Sequence, residues 1–110
     1  MSVATSMYAC RVDDVPLGEG RSITLDGRRI AIFRSAAGWF ALDAACPHRG
    51  GPLADGIVCD NAVICPLHER RYDLATGAAL NAGDAVTAHT VQLQGERVFV
   101  TLAQARARAA

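Results

Sequence analysis

Two short runs of metal-binding residues constrain this chain more than anything else in it: Cys46-Pro47-His48 and Cys65-Pro66-Leu67-His68. Each pairs a thiol with an imidazole, first as C-x-H and then as C-x-x-H, and sixteen residues separate His48 from Cys65. That interval is long enough to run out through a hairpin and return, so two loops can close on one inorganic core. Pro47 and Pro66 restrict the backbone beside the ligands. Gly50 and Gly51 let the chain approach a metal centre closely and leave backbone N–H groups free to face sulfur.

Two metal chemistries compete for such a donor set. Structural zinc also takes two Cys and two His, but usually with cysteine near cysteine and histidine near histidine. Here each cluster mixes the two ligand types. A [2Fe–2S] core with both thiolates on one iron and both imidazoles on the other needs one Cys and one His from each loop. The spacing favours iron–sulfur, with zinc as the alternative.

The remainder reads as a β-scaffold. Asp26-Gly27 lies between two alternating runs, 21–25 and 28–34, and predicts a tight hairpin with Ile30 and Ile32 on one face. Further strands are expected over 7–12, 39–43, 57–59, 62–64, 71–74, 86–93 and 97–102. Turns fall at 35–38, Asp60-Asn61, 75–77 and Gly95. Short strands with turn signals at close spacing predict an all-β sandwich or barrel. At 110 residues, 51% apolar and 20% charged, the chain is expected to be one globular domain, residues 1–110.

The formal net charge is zero, which gives no support for nucleic acid or an anionic membrane as partner. All eleven basic residues are Arg, a genomic bias before it is a functional signal. No apolar run is long enough to span a bilayer, and the first residues lack the charged and apolar regions of a signal peptide. The expectation is a cytoplasmic protein, where cysteines more often mean metal than disulfides.

On these residues, segment 46–68 resembles the Rieske motif. The resemblance implies an antiparallel β-sandwich or barrel base carrying a small inserted cluster-binding subdomain, about residues 43–74. It implies a [2Fe–2S] cofactor, with Cys46 and Cys65 on the inner iron and His48 and His68 on the outer iron near solvent. Respiratory Rieske proteins add a loop-bracing disulfide at the positions of Gly51 and Leu67, and a Ser at that of Arg70; Tyr72 matches their Tyr. Without the brace, the Ser and a membrane anchor, the resemblance points away from the respiratory type, and a midpoint in the lower part of the Rieske range is expected.

A wider resemblance covers about residues 14–102. Ile30-Ala31-Ile32-Phe33-Arg34, Phe40-Ala41-Leu42, Gly56-Ile57-Val58 and Asp73-Leu74-Ala75-Thr76-Gly77 resemble the small subunit of assimilatory NAD(P)H-dependent nitrite reductase. That family implies a large flavin- and sirohaem-containing partner that reduces nitrite to ammonia and holds the catalytic site, so none is expected in this chain. The alternative is a freestanding Rieske ferredoxin that works with a ferredoxin reductase and an aromatic-ring-hydroxylating dioxygenase. Those carriers often have proline between the second loop and the last hairpin, and segment 80–86 has none.

Other residues are weighed against plainer roles. His89 is expected to be a surface histidine, Trp39 core, and Cys10 and Cys59 small buried hydrophobes. Arg49, Arg70 and Arg71 follow ligand positions and could form a basic rim for an acidic partner, with Asp55, Glu69 and Asp73 near enough to neutralise them. The tail, 103–110, with Arg106 and Arg108, is expected to be a solvated end.

Overall fold

The structure, a computed structural model, describes residues 6–45, 52–59, 61–66, 70–81 and 84–103. Its strands are β1 (Ser6–Arg11), β2 (Glu19–Leu25), β3 (Arg28–Ser35), β4 (Gly38–Asp43), β5 (Ile57–Cys59), β6 (Ala62–Ile64), β7 (Arg71–Asp73), β8 (Ala88–Gln94) and β9 (Arg97–Thr101). Two short 3₁₀ turns, Val12–Asp14 and Leu53–Asp55, complete the described elements. Among the described residues no helix is long and apolar enough to cross a membrane.

All strand pairs are antiparallel. A six-stranded sheet runs β1-β9-β8-β4-β3-β2, and a three-stranded sheet runs β5-β6-β7. The β2–β3 hairpin turns at Asp26, with φ +50°, and Gly27, with φ +76°, the double positive φ that Asp-Gly supplies. Two meanders, β2-β3-β4 and β1-β9-β8, join through only two pairs, Ala41↔His89 and Leu42↔Ala88. The large sheet is curled, so that its edge strands β1 and β2 touch.

Ile30 and Ile32 share a face, as the alternation requires. β3, however, is buried on both sides. Ile30 and Ile32 pack with Leu25, Ala41, Val98 and Val100 inside the curl, while Ala31 and Phe33 face a second cluster under the small sheet. Each fully buried Ile, Leu or Phe contributes roughly 1.5–3 kcal/mol. The double-sided strand therefore ties both cores together.

One glycine makes that junction possible. A Cβ on Gly20 would lie 2.8 Å from the Phe33 ring and 2.9 Å from the Ala54 carbonyl oxygen. Only a bare backbone lets β2 pass between Phe33 and the 3₁₀ turn Leu53–Asp55. The large sheet meets the 3₁₀ turn that leads into the small sheet at this point.

Two expectations about side chains are corrected here. Cys59 is exposed, because β5 is an edge strand and only its central Val58 packs against the core. His89 is buried at 7% exposure, because it lies on the same side of β8 as Val91 and directly opposite the fully buried Ala41. Cys10 is buried, and Trp39 is half-buried against the inner core with the Arg34 guanidinium 5.3 Å from its ring centroid.

Candidate metal centre

The first ligand segment grows out of β4. After Asp43, Ala44 accepts a 3.0 Å hydrogen bond from the Leu53 N–H, and Ala45 bridges Pro52. These contacts hold the described chain together on either side of residues 46–51. Both side chains lie outside the described residues, as do Arg49, Gly50 and Gly51.

The second segment grows out of β6. The Cys65 N–H donates to the Arg70 carbonyl at 2.7 Å, which closes the loop that carries residues 66–69. Cys65 is 1% exposed and belongs to the buried cluster of Ala44, Leu53, Ala54, Tyr72 and Leu74. His68 lies outside the described residues. Among the described residues no three His, Cys, Asp or Glu side chains gather as a metal site.

The bases of the two loops are locked against one another. A Cβ on Gly56 would fall far inside contact distance of the Ile64 carbonyl oxygen, 2.9 Å from Val63 Cγ2 and 3.1 Å from the Leu53 oxygen. The chain leaving the first loop thus runs directly over β6, one residue before Cys65. This contact brings the bases of the two loops to one end of the small sheet. Tyr72 is fully buried opposite Val63 in the same cluster as Cys65, and no buried side-chain polar atom among the described residues lacks a partner.

The donor chemistry fits an iron–sulfur core. A buried thiol, Cys65, follows β6, and the described residues that flank the two Cys-His segments are held together by backbone contacts. A buried Cys is by default a small apolar filler. A second thiol and two imidazoles in the adjoining loops are what that default does not explain.

A Rieske [2Fe-2S] domain model matches residues 5–94. The chain belongs to the Rieske [2Fe-2S] domain family. It is 35% identical over 104 residues to the ferredoxin subunit of 3-phenylpropionate/cinnamic acid dioxygenase from Shigella boydii, covering 91% of this chain and 96% of that one. It is 30% identical over 91 residues to the ferredoxin component of the naphthalene 1,2-dioxygenase system from Pseudomonas aeruginosa, covering 81% and 88%. A solved Mycobacterium tuberculosis structure provisionally named an NADH-dependent nitrite reductase small subunit superposes with a TM-score of 0.85 at 24% identity, over 94% of this chain and all of that one.

This Rieske domain therefore binds a [2Fe-2S] cluster and transfers electrons. When bound, the cluster stores and releases one electron; imidazoles in place of two thiolates leave it less negative, and raise Rieske potentials to about −150 to +300 mV against about −400 mV for plant-type ferredoxins. The chain supplies the remainder. Backbone hydrogen bonds hold the loop bases, and Leu53, Ala54, Val63 and Leu74 exclude water beneath them.

Sequence reasoning missed one polar group nearby. His89 Nε2 lies 2.8 Å from Asp43 Oδ1, immediately before the first loop. The signal was present: His89 shares strand parity with the apolar Val91, which packs against the inner core.

Proposed function

We propose that Cys46, His48, Cys65 and His68 hold the cluster within a subdomain of about residues 43–74, with the two thiolates on one iron and the two imidazoles on the other. We further propose that the protein is the ferredoxin of an aromatic-ring-hydroxylating dioxygenase system, taking electrons from a ferredoxin reductase and passing them to the oxygenase. The observation that carries this reading is the 35% identity to a dioxygenase ferredoxin subunit along nearly the whole of both chains. The naphthalene system's ferredoxin supports it independently.

A partner-facing surface is consistent with a carrier. The small sheet places Ile57, Ile64, Arg71 and Leu80 in one cross-strand row, beside the row Val58, Val63, Tyr72 and Ala79 that packs on the core. Ile57 is 63% and Leu80 54% exposed, where a solvated sheet face is ordinarily polar. The row flanks the second ligand loop, and among the described residues neither Arg70 nor Arg71 forms an ion pair. An apolar centre with a cationic edge suits an acidic docking surface.

The second reading is the small subunit of an assimilatory NAD(P)H-dependent nitrite reductase, donating to a flavin- and sirohaem-containing large subunit. The proline-free segment 80–86 and the sequence runs about Ile30, Phe40 and Asp73 favour it. The two readings separate in a reconstitution. The cluster-loaded protein is reduced and mixed in turn with a dioxygenase terminal oxygenase and with a nitrite reductase large subunit, and reoxidation is followed by stopped-flow absorbance. Fast electron transfer to the oxygenase alone is expected. Fast transfer only to the sirohaem subunit would replace the first reading with the second.

A further inference from the structure

His89, Asp43 and Arg28 form a polar cluster at the end of β4, three residues before Cys46. The His89 side chain is fully buried, yet both ring nitrogens are engaged: Nε2 lies 2.8 Å from Asp43 Oδ1, and the Ala103 backbone N–H donates to Nδ1 at 2.9 Å. A backbone N–H can only donate, so Nδ1 is the acceptor and the ring proton sits on Nε2, facing the carboxylate. Arg28 reaches the same Asp43 oxygen from the start of β3 at 3.5 Å, and also donates to the Ala103 carbonyl at 2.8 Å. β3, β4, β8 and the chain following β9 therefore meet at one carboxylate. With a neutral imidazole, the charges of Asp43 and Arg28 cancel.

Asp43 is also where the first loop begins. It is the last residue of β4, three positions before Cys46, and its N–H is held by the Thr87 carbonyl at 2.9 Å. The next N–H, from Ala44, donates to Arg29 at 3.0 Å, and the Ala44 carbonyl accepts from Leu53 across the loop. Three residues of extended chain reach at most about 11 Å. That lies within the Debye length of about 30 Å at 0.01 M salt and beyond the length of about 8 Å at 0.15 M, so an unbalanced charge at position 43 acts on position 46 at low salt and is screened as salt rises.

We propose that Asp43 is a positioning residue for the cluster-bearing loop 46–51. His89 fixes its carboxylate, and Arg28 neutralises the charge that would otherwise oppose reduction of the cluster. The proposal rests on Cys46 and His48 being ligands, and on no particular redox partner. A carboxylate left alone disfavours adding an electron to the loop, whereas a guanidinium left alone favours it. Asp43, Arg28 and Arg29 line an open cleft of about 770 Å³ that also reaches Ala45 and Pro52, so salt has access to the pair.

The test is a set of midpoint potentials on the cluster-loaded protein at low and high salt, with EPR of the reduced state and ¹⁵N NMR of the His89 ring. Asp43→Asn, which keeps an acceptor for His89, should raise the midpoint; Arg28→Gln should lower it. The double variant should return towards the unaltered protein, and both single shifts should shrink as salt rises. The ring should show a protonated Nε2 and a bare Nδ1. Asp43→Ala should speed hydrogen exchange at the Leu53 amide while Asp43→Asn preserves its protection. A loop that is merely loosened would move both single variants in the same direction and the double variant further; that result, or midpoints that do not move, overturns the proposal. If Asn at position 43 prevents folding, Arg28→Gln alone decides, and a midpoint that rises or stays put refutes the idea. An unchanged Rieske EPR signal from Cys46→Ser would sink the ligand assignment and this proposal with it. A lost signal there together with unmoved Asp43 and Arg28 midpoints sinks only the role of Asp43.

Discussion

Gly56→Ala should separate the two ligand loops at their base. The φ of Gly56 is −74°, open to any residue, so the substitution carries no left-handed backbone penalty. The cost is steric. The added methyl would overlap the Ile64 carbonyl and stand 2.9 Å from Val63 Cγ2, closer than real Cβ atoms approach, and two of the opposing atoms are backbone that cannot rotate away. Inserting one carbon into such a contact costs about 1–3 kcal/mol. At about 5 °C per kcal/mol for a domain of this size, a middle value lowers the midpoint of thermal unfolding by about 10 °C. Circular dichroism on the cluster-loaded protein reads that shift, and the EPR line of the reduced cluster should broaden as loop geometry becomes heterogeneous. Gly27→Ala is the control: its φ of +76° imposes a penalty of roughly 1–2 kcal/mol, but nothing lies within 4 Å, so the EPR line should stay sharp. A Gly56→Ala protein that melts within about 1 °C of the unaltered chain, with an unaltered line, would refute the claim that this contact locks the loops.

Phe33→Ala should cost about 3–5 kcal/mol in denaturant unfolding, because the ring is fully buried and joins β3 to the cluster around Leu53 and Val63. Arg70→Glu with Arg71→Glu should slow electron transfer to the partner at low salt and lose its effect at high salt; equal rates at low salt would remove these residues from docking. A thiol-alkylating reagent should modify Cys59 well before Cys10. Cys59 is exposed, whereas burial, and secondarily the Asp14 carboxylate, push the Cys10 thiol above its ordinary value. A raised thiol favours the folded state while it is protonated, so the Cys10 contribution is present at neutral pH and is lost only as pH climbs past the ordinary thiol range. Mass spectrometry of the labelled protein checks the order, and equal labelling at pH 7 would contradict it.

Much of the scaffold is legible in the sequence, because antiparallel strands with one wet face leave a period of two and demand turn residues where they end. Asp26-Gly27, the hairpin of β5 and β6, and the Gly95 turn all stand where the alternation and punctuation require them. β3 shows the limit. Arg28 to Ser35 contains Ile30-Ala31-Ile32-Phe33, and only the packing of a second sheet tells that both faces are covered. The 3₁₀ turn Leu53–Asp55 escaped for a similar reason: a three-residue element has no period, and its place is set by Gly20 and Phe33, far away in sequence.

The site divides in the same way. The Cys and His spacing is local, so it identifies the cofactor class from a short segment. The exposed row proposed for docking is assembled from β5, β6, β7 and residue 80, which no local pattern announces. His89 is buried although it is no cluster ligand, because its parity with Val91 on β8 turns it towards the inner core. Asp43 gave no signal at all; its partners, Arg28, His89 and the Thr87 carbonyl, are all distant in sequence.

The central claim is that a [2Fe–2S] core is held by one Cys and one His from each loop, and pulsed EPR of the reduced, reconstituted protein tests it most directly. A Rieske-type signal is expected, with hyperfine coupling to two imidazole nitrogens, one of which vanishes in His48→Ala and the other in His68→Ala. A signal without nitrogen coupling, or a protein that binds zinc and no labile sulfide, would contradict it.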